Sequence, residues 1–332
     1  MSGTELARGR DRTSHGRRLL APLLAVTAIV TFVVVNTKGL SATSPFDEVS
    51  LYRDVTYQPD MSGLDREDQR LVARMLEQPQ GVWLGEWIPA PADYVESVLD
   101  DATAVGQVPL FVVYGIPDRD CGGFSTGGMS DHEEYRQWIR DLASALADAR
   151  AFVVLEPDAL AQLDCLASDR ARQERLLSLR SATEALGRLP GVTTYLDGGH
   201  AGWIEPVEMS RHLADAGVAE IRGFSLNVSY YNRTDVETEY GLQISDRLGG
   251  APFVIDTSRN GAGPWSGEPS WCNPPGRALG DVPLSRPPHG RVDALLWVKR
   301  PGISDGPCGR REPAAGEFWP EYAVALTKRA GW

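Results

Sequence analysis

The chain has 332 residues of unexceptional composition, 42% hydrophobic and 23% charged, so after its first segment nothing prevents one large core of the size α/β barrels commonly reach. Carboxylates outnumber Lys and Arg by 45 to 33, and the net charge of −12 argues against nucleic acid or anionic membrane surfaces as partners, whose phosphates that field would repel. An uncharged substrate suits it better.

Residues 1–18 are basic, with Arg8, Arg10, Arg12, Arg17 and Arg18, and residues 19–36 carry an apolar run interrupted by Pro22, Thr27 and Thr31. A basic flank before an apolar run is the pattern of a signal peptide or of a single uncleaved anchor, and either exports the remainder of the chain. The membrane is then met only through this segment, and the protein is expected to be secreted or held on the outer face of the cell membrane. Residues 37–51 read as a polar linker and 52–332 as one catalytic domain, with no internal repeat to suggest more.

Helical and strand patterns alternate from there. Apolar residues at three- and four-residue spacing predict helices over Leu71–Leu76, Tyr94–Ala104, Tyr135–Leu146, Leu176–Leu186 and Tyr322–Leu326. Between them lie short runs of β-branched, aromatic and aliphatic residues: Val82–Leu84, Leu110–Tyr114, Phe152–Leu155, Thr193–Leu196, Gly223–Leu226, Phe253–Ile255 and Leu295–Val298. Seven such runs predict parallel strands buried on both faces, and thus a distorted seven-stranded parallel β/α barrel. The stretch 261–289 is rich in Pro, Gly and Ser and reads as loops.

Polar residues cluster where those runs end. Asp118 and Asp120 follow the second, Glu156 and Asp158 the third, Asp197 the fourth, Asn227 the fifth, Asp256 the sixth and Asp305 the seventh. In a parallel barrel all these ends open on one face, so carboxylates would gather around one cleft. The plainer alternative is that each Asp caps the next helix, which accounts for one position more readily than for the whole set. No cysteine pair has zinc-type spacing and the five histidines form no H-E-x-x-H, so no metal centre is expected. Four cysteines, Cys121, Cys165, Cys272 and Cys308, allow three pairings among which spacing alone does not choose.

Five segments in order make the reading specific: VYGIPDRDC at 113–121, LEPDAL at 155–160, YLDGGHAGW at 195–203, WCNPPGRALG at 271–280 and WVKRPGISDG at 297–306. Together they resemble family 6 of the glycoside hydrolases, the cellulases that include endoglucanases and cellobiohydrolases, over roughly Tyr52 to Trp332. The resemblance implies inverting hydrolysis of β-1,4-glucan without a cofactor, by an enzyme expected to be a monomer. It assigns Asp158 as general acid, Asp120 as the carboxylate that raises its pKa, and Asp305 as the base, acting directly or through a water chain. Tyr114 would lie beside the distorted sugar ring, and Ser125 or Thr126 would position the water. Trp83, Trp203 and Trp271 would stack on sugar rings, whose faces of axial C–H bonds suit flat aromatic surfaces. Asp197, His200, Asn227, Asn260 and Lys299 would bind hydroxyls, while Trp138 and Trp319 are assigned to packing. Cys121 is implied to pair with Cys165, and Cys272 with Cys308.

Two features refine this picture. The stretches Ile255–Trp271 and Gly280–Leu295 are short, leaving little chain to roof a cleft, so internal cutting is favoured over the tunnel of processive relatives. A cellobiohydrolase, or a glucan-binding protein on an inactive scaffold, is the alternative; retention of all three aspartates argues against the second. The chain also has Ile303 where most members of the family carry Glu, which removes one acceptor for sugar hydroxyls.

Overall fold

The computed structural model describes residues 43–332; the segments expected at 1–18 and 19–36, and the first part of the expected linker, lie outside the described residues. Seven strands run β1 Val82–Leu84, β2 Leu110–Val113, β3 Ala151–Leu155, β4 Val192–Asp197, β5 Gly223–Leu226, β6 Phe253–Asp256 and β7 Val292–Leu296. They form one parallel sheet in sequence order. The sheet curls until β1 meets the end of β7, where the amide of Gly81 donates to Trp297 O at 2.9 Å and the Trp83 indole donates to Val298 O at 2.9 Å. A side chain at position 81 would collide with the Val298 carbonyl, so glycine permits this closure.

Strand residues alternate between two apolar cores, as the pleat requires. Leu110, Val112, Phe152, Val154, Tyr195, Val254, Ala294 and Leu296 fill the barrel interior. Phe111, Val113, Val153, Leu155, Leu196, Phe224 and Ile255 face the surrounding helices. Residues on both faces are apolar, which is why these strands read as continuous runs. β7 begins three residues before the predicted run because Asp293 is buried there, paired with Arg222 at 2.9 Å and accepting the Tyr195 hydroxyl at 2.7 Å.

The helices are α1 Arg66–Leu76, α2 Pro91–Ala104, α3 His132–Ala145, α4 Asp169–Gly187, α5 Pro206–Asp215, α6 Thr234–Arg247 and α7 Pro320–Arg329. α5 and α6 were not legible. The first buries only Met209, Ser210 and Leu213, and the second hides Glu237, Gly241 and Ser245 beside Tyr240 and Ile244, so the apolar stripe of each is thin and interrupted by polar or small residues. Within the expected linker 37–51, the part from 44 onward is packed against the barrel. Phe46 stacks on Phe152 with ring centroids 3.9 Å apart, the Ser44 hydroxyl donates to Asp293 O at 2.7 Å, and Leu51 bridges to Val108.

Candidate active site

Helix caps come from elsewhere than the strand-end aspartates. Asp65 caps α1, Asp131 caps α3 and Ser168 caps α4, each accepting first-turn amides. Five of the eight strand-end residues instead adopt left-handed backbone: φ is 55° at Asp118, 58° at Asp120, 50° at Glu156, 69° at Asp158 and 66° at Asn227. Such conformations cost energy outside glycine, least for Asp and Asn, and persist where surrounding structure enforces them.

That enforcement is visible in the turn carrying Asp158. Its amide donates to Asp197 Oδ1 at 3.0 Å, and Gly199 N and the Ser225 hydroxyl also donate to Asp197, at 2.9 and 3.1 Å. Asp197 is 1% exposed and stands behind the turn instead of lining the cleft, which corrects the expectation that it contacts sugar. Burial raises the Asp197 pKa to about 7, against the three donors, which favour its charged form. Burial pushes the Asp158 carboxyl well above the usual range, and the charges of Asp197 and Asp120 push it further, so Asp158 holds a proton. Glu156 lies beneath, completely buried, accepting the amides of Gly115 and Ile116 and so joining the ends of β2 and β3.

Asp120 begins a single 3₁₀ turn and is held by Ser125 N at 2.7 Å and by the Gln162 amide at 3.3 Å. Asp118, two residues earlier, is exposed and points elsewhere, its carbonyl capped by Arg175. The loop is fixed by Arg119, 5% exposed, which pairs with Glu86 at 2.7 Å, donates to Tyr114 O and Ser125 O, and lies 4.4 Å from the centre of the Tyr114 ring. Burial and the charges of Asp158 and Asp120 raise the Tyr114 phenol well above its usual range, so it stays a hydrogen-bond donor. Cys121 pairs with Cys165 and Cys272 with Cys308, with Cα separations of 6.1 and 6.2 Å, the pairing the resemblance implied.

Asp305 is enclosed by donors. Arg259 reaches Oδ2 at 2.8 Å, the Tyr231 hydroxyl at 3.1 Å and Asn273 N at 3.0 Å, while Lys299 Nζ lies 3.1 Å from Oδ1. Burial alone would raise its pKa, but Arg259 and Lys299 outweigh it and hold the carboxylate below the usual range. Asp305 is thus ionised and only weakly basic.

A cavity of about 690 Å³ is lined by Asp120, Asp158, Asp305, Tyr114, Lys299, Ser125, Trp83, His200, Trp203 and Trp271, most of the expected set. Trp203 and Trp271 are 38% and 44% exposed, as stacking platforms must be. His200 lies flat on Tyr230 at 3.6 Å and close to Trp203; burial pushes its pKa down to about 4, which leaves the ring neutral. A second cavity of about 800 Å³ shares Trp83, Tyr114, Ser125 and Lys299 and adds Thr126, Trp87, Tyr94, Phe124, Ile303 and Glu317.

Asn227 and Asn260 depart from expectation. Asn227 is fully buried and donates to Asn232 O and Asp256 O; Asn260 donates to Asn232 O and the Thr234 hydroxyl. Both spend their amides inside the loops and line neither cavity. The residues that sequence reasoning missed are Arg119, Tyr230, Tyr231, Arg259 and Asn273, while Glu156 was named at its strand end but given no role. Arg259 lies three residues past the end of β6, and that nearness to a strand end was the available signal.

The pattern of the glycosyl hydrolases family 6 matches residues 48–330. Endoglucanase A of Cellulomonas fimi is 43% identical over 270 residues, 80% of this chain and 57% of its own length, so the chain spans little more than half of that relative. Endoglucanase 1 of Streptomyces sp. (strain KSM-9) is 36% identical over 344 residues, 94% of this chain and 95% of the relative. The endoglucanase Cel6 of Mycobacterium tuberculosis, solved with methyl-cellobiosyl-4-deoxy-4-thio-β-D-cellobioside, superposes with a TM-score of 0.83 at 42% identity, covering 87% of this chain and 100% of that one.

Proposed function

The chain belongs to family 6 of the glycosyl hydrolases, and from that premise we propose that it hydrolyses internal β-1,4-glucosidic bonds of cellulose or a related β-glucan with inversion at the anomeric carbon. The observation that carries the proposal is the electrostatic opposition within one cavity: Asp158 protonated, Asp305 ionised. Two carboxyls pushed apart in this way are what an acid and its counterpart require. Asp158 protonates the departing oxygen as the bond lengthens. Asp120 and the aspartate behind the turn keep that proton in place until then. The water attacks from the opposite face, guided by the loop of Ser125 and Tyr114. Asp305 is paired with two cations, which makes it a poor base for free water. It takes the proton late, through an intervening water, once the oxocarbenium-like centre has made the attacking water acidic. Trp83, Trp203 and Trp271 would hold the sugar faces, with His200 and Lys299 at hydroxyls.

Export fits the two disulfides, which belong to an oxidising compartment, and the basic and apolar segments at the start of the sequence. NMR of cellohexaose digestion tests the mechanism: the α-anomer should appear first. A β-anomer appearing first would mean that the inverting assignment is wrong, and no loss of viscosity on carboxymethyl cellulose would remove internal cutting.

A further inference from the structure

The larger cavity continues from the smaller one past Trp83, and it carries side chains that the proposed chemistry does not use. Trp87 is the chief of these, on the loop after β1 and 49% exposed. Its ring is seated against Gly85, where a Cβ would lie 2.2 Å from Trp87 Cζ3, so any side chain at 85 would displace the indole. The Arg119 guanidinium stands 5.2 Å from the ring centre and is itself paired with Glu86 at 2.7 Å. Tyr57, on the same cavity, is held in the same manner: the Arg300 guanidinium lies 4.3 Å from its ring centre and pairs with Asp54 at 2.8 Å. Each cation already has its carboxylate, so what the two supply here is a fixed direction for two aromatic rings. Ile88 and Tyr94 extend the apolar wall of the cavity. A polar group on that wall is Glu317, which is exposed and whose carbonyl accepts the Ser304 amide at 2.8 Å. One of its carboxylate oxygens accepts the Ala314 amide at 3.2 Å, and the other has no partner among the described residues. A rigid indole and a carboxylate with unused lone pairs suit the C–H face and the hydroxyl edge of a sugar.

We propose that this end of the cleft is a further sugar subsite beyond Trp83, with Trp87 as its stacking platform and Glu317 as acceptor for hydroxyls, and that it gives the enzyme its preference for long chains. The inference rests on the β-glucan reading of the preceding subsection. Continuity makes the occupant a further unit of the same chain: the two cavities share Trp83, Tyr114, Ser125 and Lys299, so a glucan seated on Trp203, Trp271 and Trp83 reaches Trp87 as it lengthens. An acidic sugar is disfavoured, because Arg119 and Arg300 are already paired and Glu317 repels it. No reacting carboxyl lines this end, so contacts there hold substrate and transition state alike and act on KM more than on kcat. They also fix the register in which a long chain lies across Asp158, and with it the bond that is cut.

The test compares the parent enzyme with Trp87→Ala and with Trp87→Phe, which keeps a ring, on cellotetraose and cellohexaose. Trp87→Ala should raise KM for cellohexaose about threefold to tenfold, the range an aromatic contact supplies, with a smaller rise for cellotetraose and a smaller change in kcat. Trp87→Phe should recover most of the loss. In end-labelled cellohexaose the first cut by the alanine variant should move toward the end that lies at Trp87. A KM that rises equally on both sugars would mean that the change acts through Arg119 on the loop carrying Asp120, and would overturn the subsite. So would a cellohexaose KM within about twofold of the parent, or a cut that stays in place. Should the tryptophan variants fail to fold, Glu317→Ala decides, because that side chain is exposed and supports only the Ala314 amide. It should raise the cellohexaose KM about twofold to tenfold, the worth of a hydrogen bond, and an unchanged KM would overturn the subsite. A parent enzyme inactive on both sugars would strike the glucanase reading instead. Calorimetry then judges the subsite alone: cellohexaose should bind Trp87→Ala, or Glu317→Ala in its place, about threefold to tenfold more weakly than the parent, and equal affinities would overturn it.

Discussion

Asp158 is the residue on which the proposed chemistry turns, and its replacement separates chemistry from architecture. Asp158→Asn keeps the shape and the backbone contact to Asp197 but has no proton to give, so hydrolysis of cello-oligosaccharides should fall by on the order of 10²–10⁴. Aryl glycosides with good leaving groups need less protonation and should fall less; equal losses on both would make Asp158 structural. Ile303 permits the opposite experiment. It lines the larger cavity with Lys299, Arg300 and Arg119, and a carboxylate there would meet positive charge and accept sugar hydroxyls. An unpartnered hydroxyl costs about 1–3 kcal/mol, so Ile303→Glu should tighten binding of cello-oligosaccharides about tenfold. No gain in KM on cellulosic or mixed-linkage substrates would leave Ile303 as packing opposite Phe318, its bridge partner. At this scale the sequence discloses which chemistry stands at a strand end, because acid catalysis requires a carboxyl. Which way the side chain turns depends on neighbours distant in sequence. Asn227 and Asp197 turn inward to serve loops, while Arg259 turns toward Asp305.

The loop between β2 and α3, which carries Asp120, shows how an element without regular structure is kept in place. Arg119 ties it to Glu86 and to Tyr114, Glu156 holds its first amides, and the Cys121–Cys165 bridge closes a span of 44 residues. Chain-entropy reasoning gives a bridge of that span about 4 kcal/mol, less any native strain. Replacing both cysteines by Ser should therefore lower the melting temperature and, because Asp120 loses its anchor, depress kcat more than KM. Equal changes in the two constants would show that the loop holds its shape without the bridge. The elements themselves were legible to the extent that they bury one kind of surface. Six of the seven strands start within one residue of the predicted runs because they are apolar on both faces. β7 was displaced by Asp293, whose charge is satisfied by Arg222, and α5 and α6 were hidden by polar residues on their buried sides.

Across the whole molecule the same buried carboxylates set the dependence of stability on pH. Burial pushes Glu156 and Glu237 up to about 7, and it raises Asp197 and Asp256 as well. A carboxyl whose pKa is raised by folding contributes stability that is complete below its unfolded value and is lost as pH rises through the folded one. Asp54, Glu86 and Asp305 behave oppositely: despite burial, Thr56 and Arg300, then Arg119, then Arg259 and Lys299 hold them low, and their contribution is lost as pH falls through those low values. Stability should therefore peak in mildly acidic solution, near pH 5. It should decline toward neutrality as Glu156 and Glu237 are forced to ionise, and decline again in strong acid as the paired carboxylates protonate. The net charge of −12 predicts a gentle trend of the same sign through self-repulsion, so a pH series of melting temperatures alone does not separate the two causes. Glu237→Gln does. It keeps acceptance from Ala201 N while removing the titration, and it should flatten the fall between pH 5 and 7.5 with little change in overall charge. A parent protein that melts higher at pH 7.5 than at pH 5, or a Gln variant with an unaltered slope, would show that these buried carboxyls do not govern the profile.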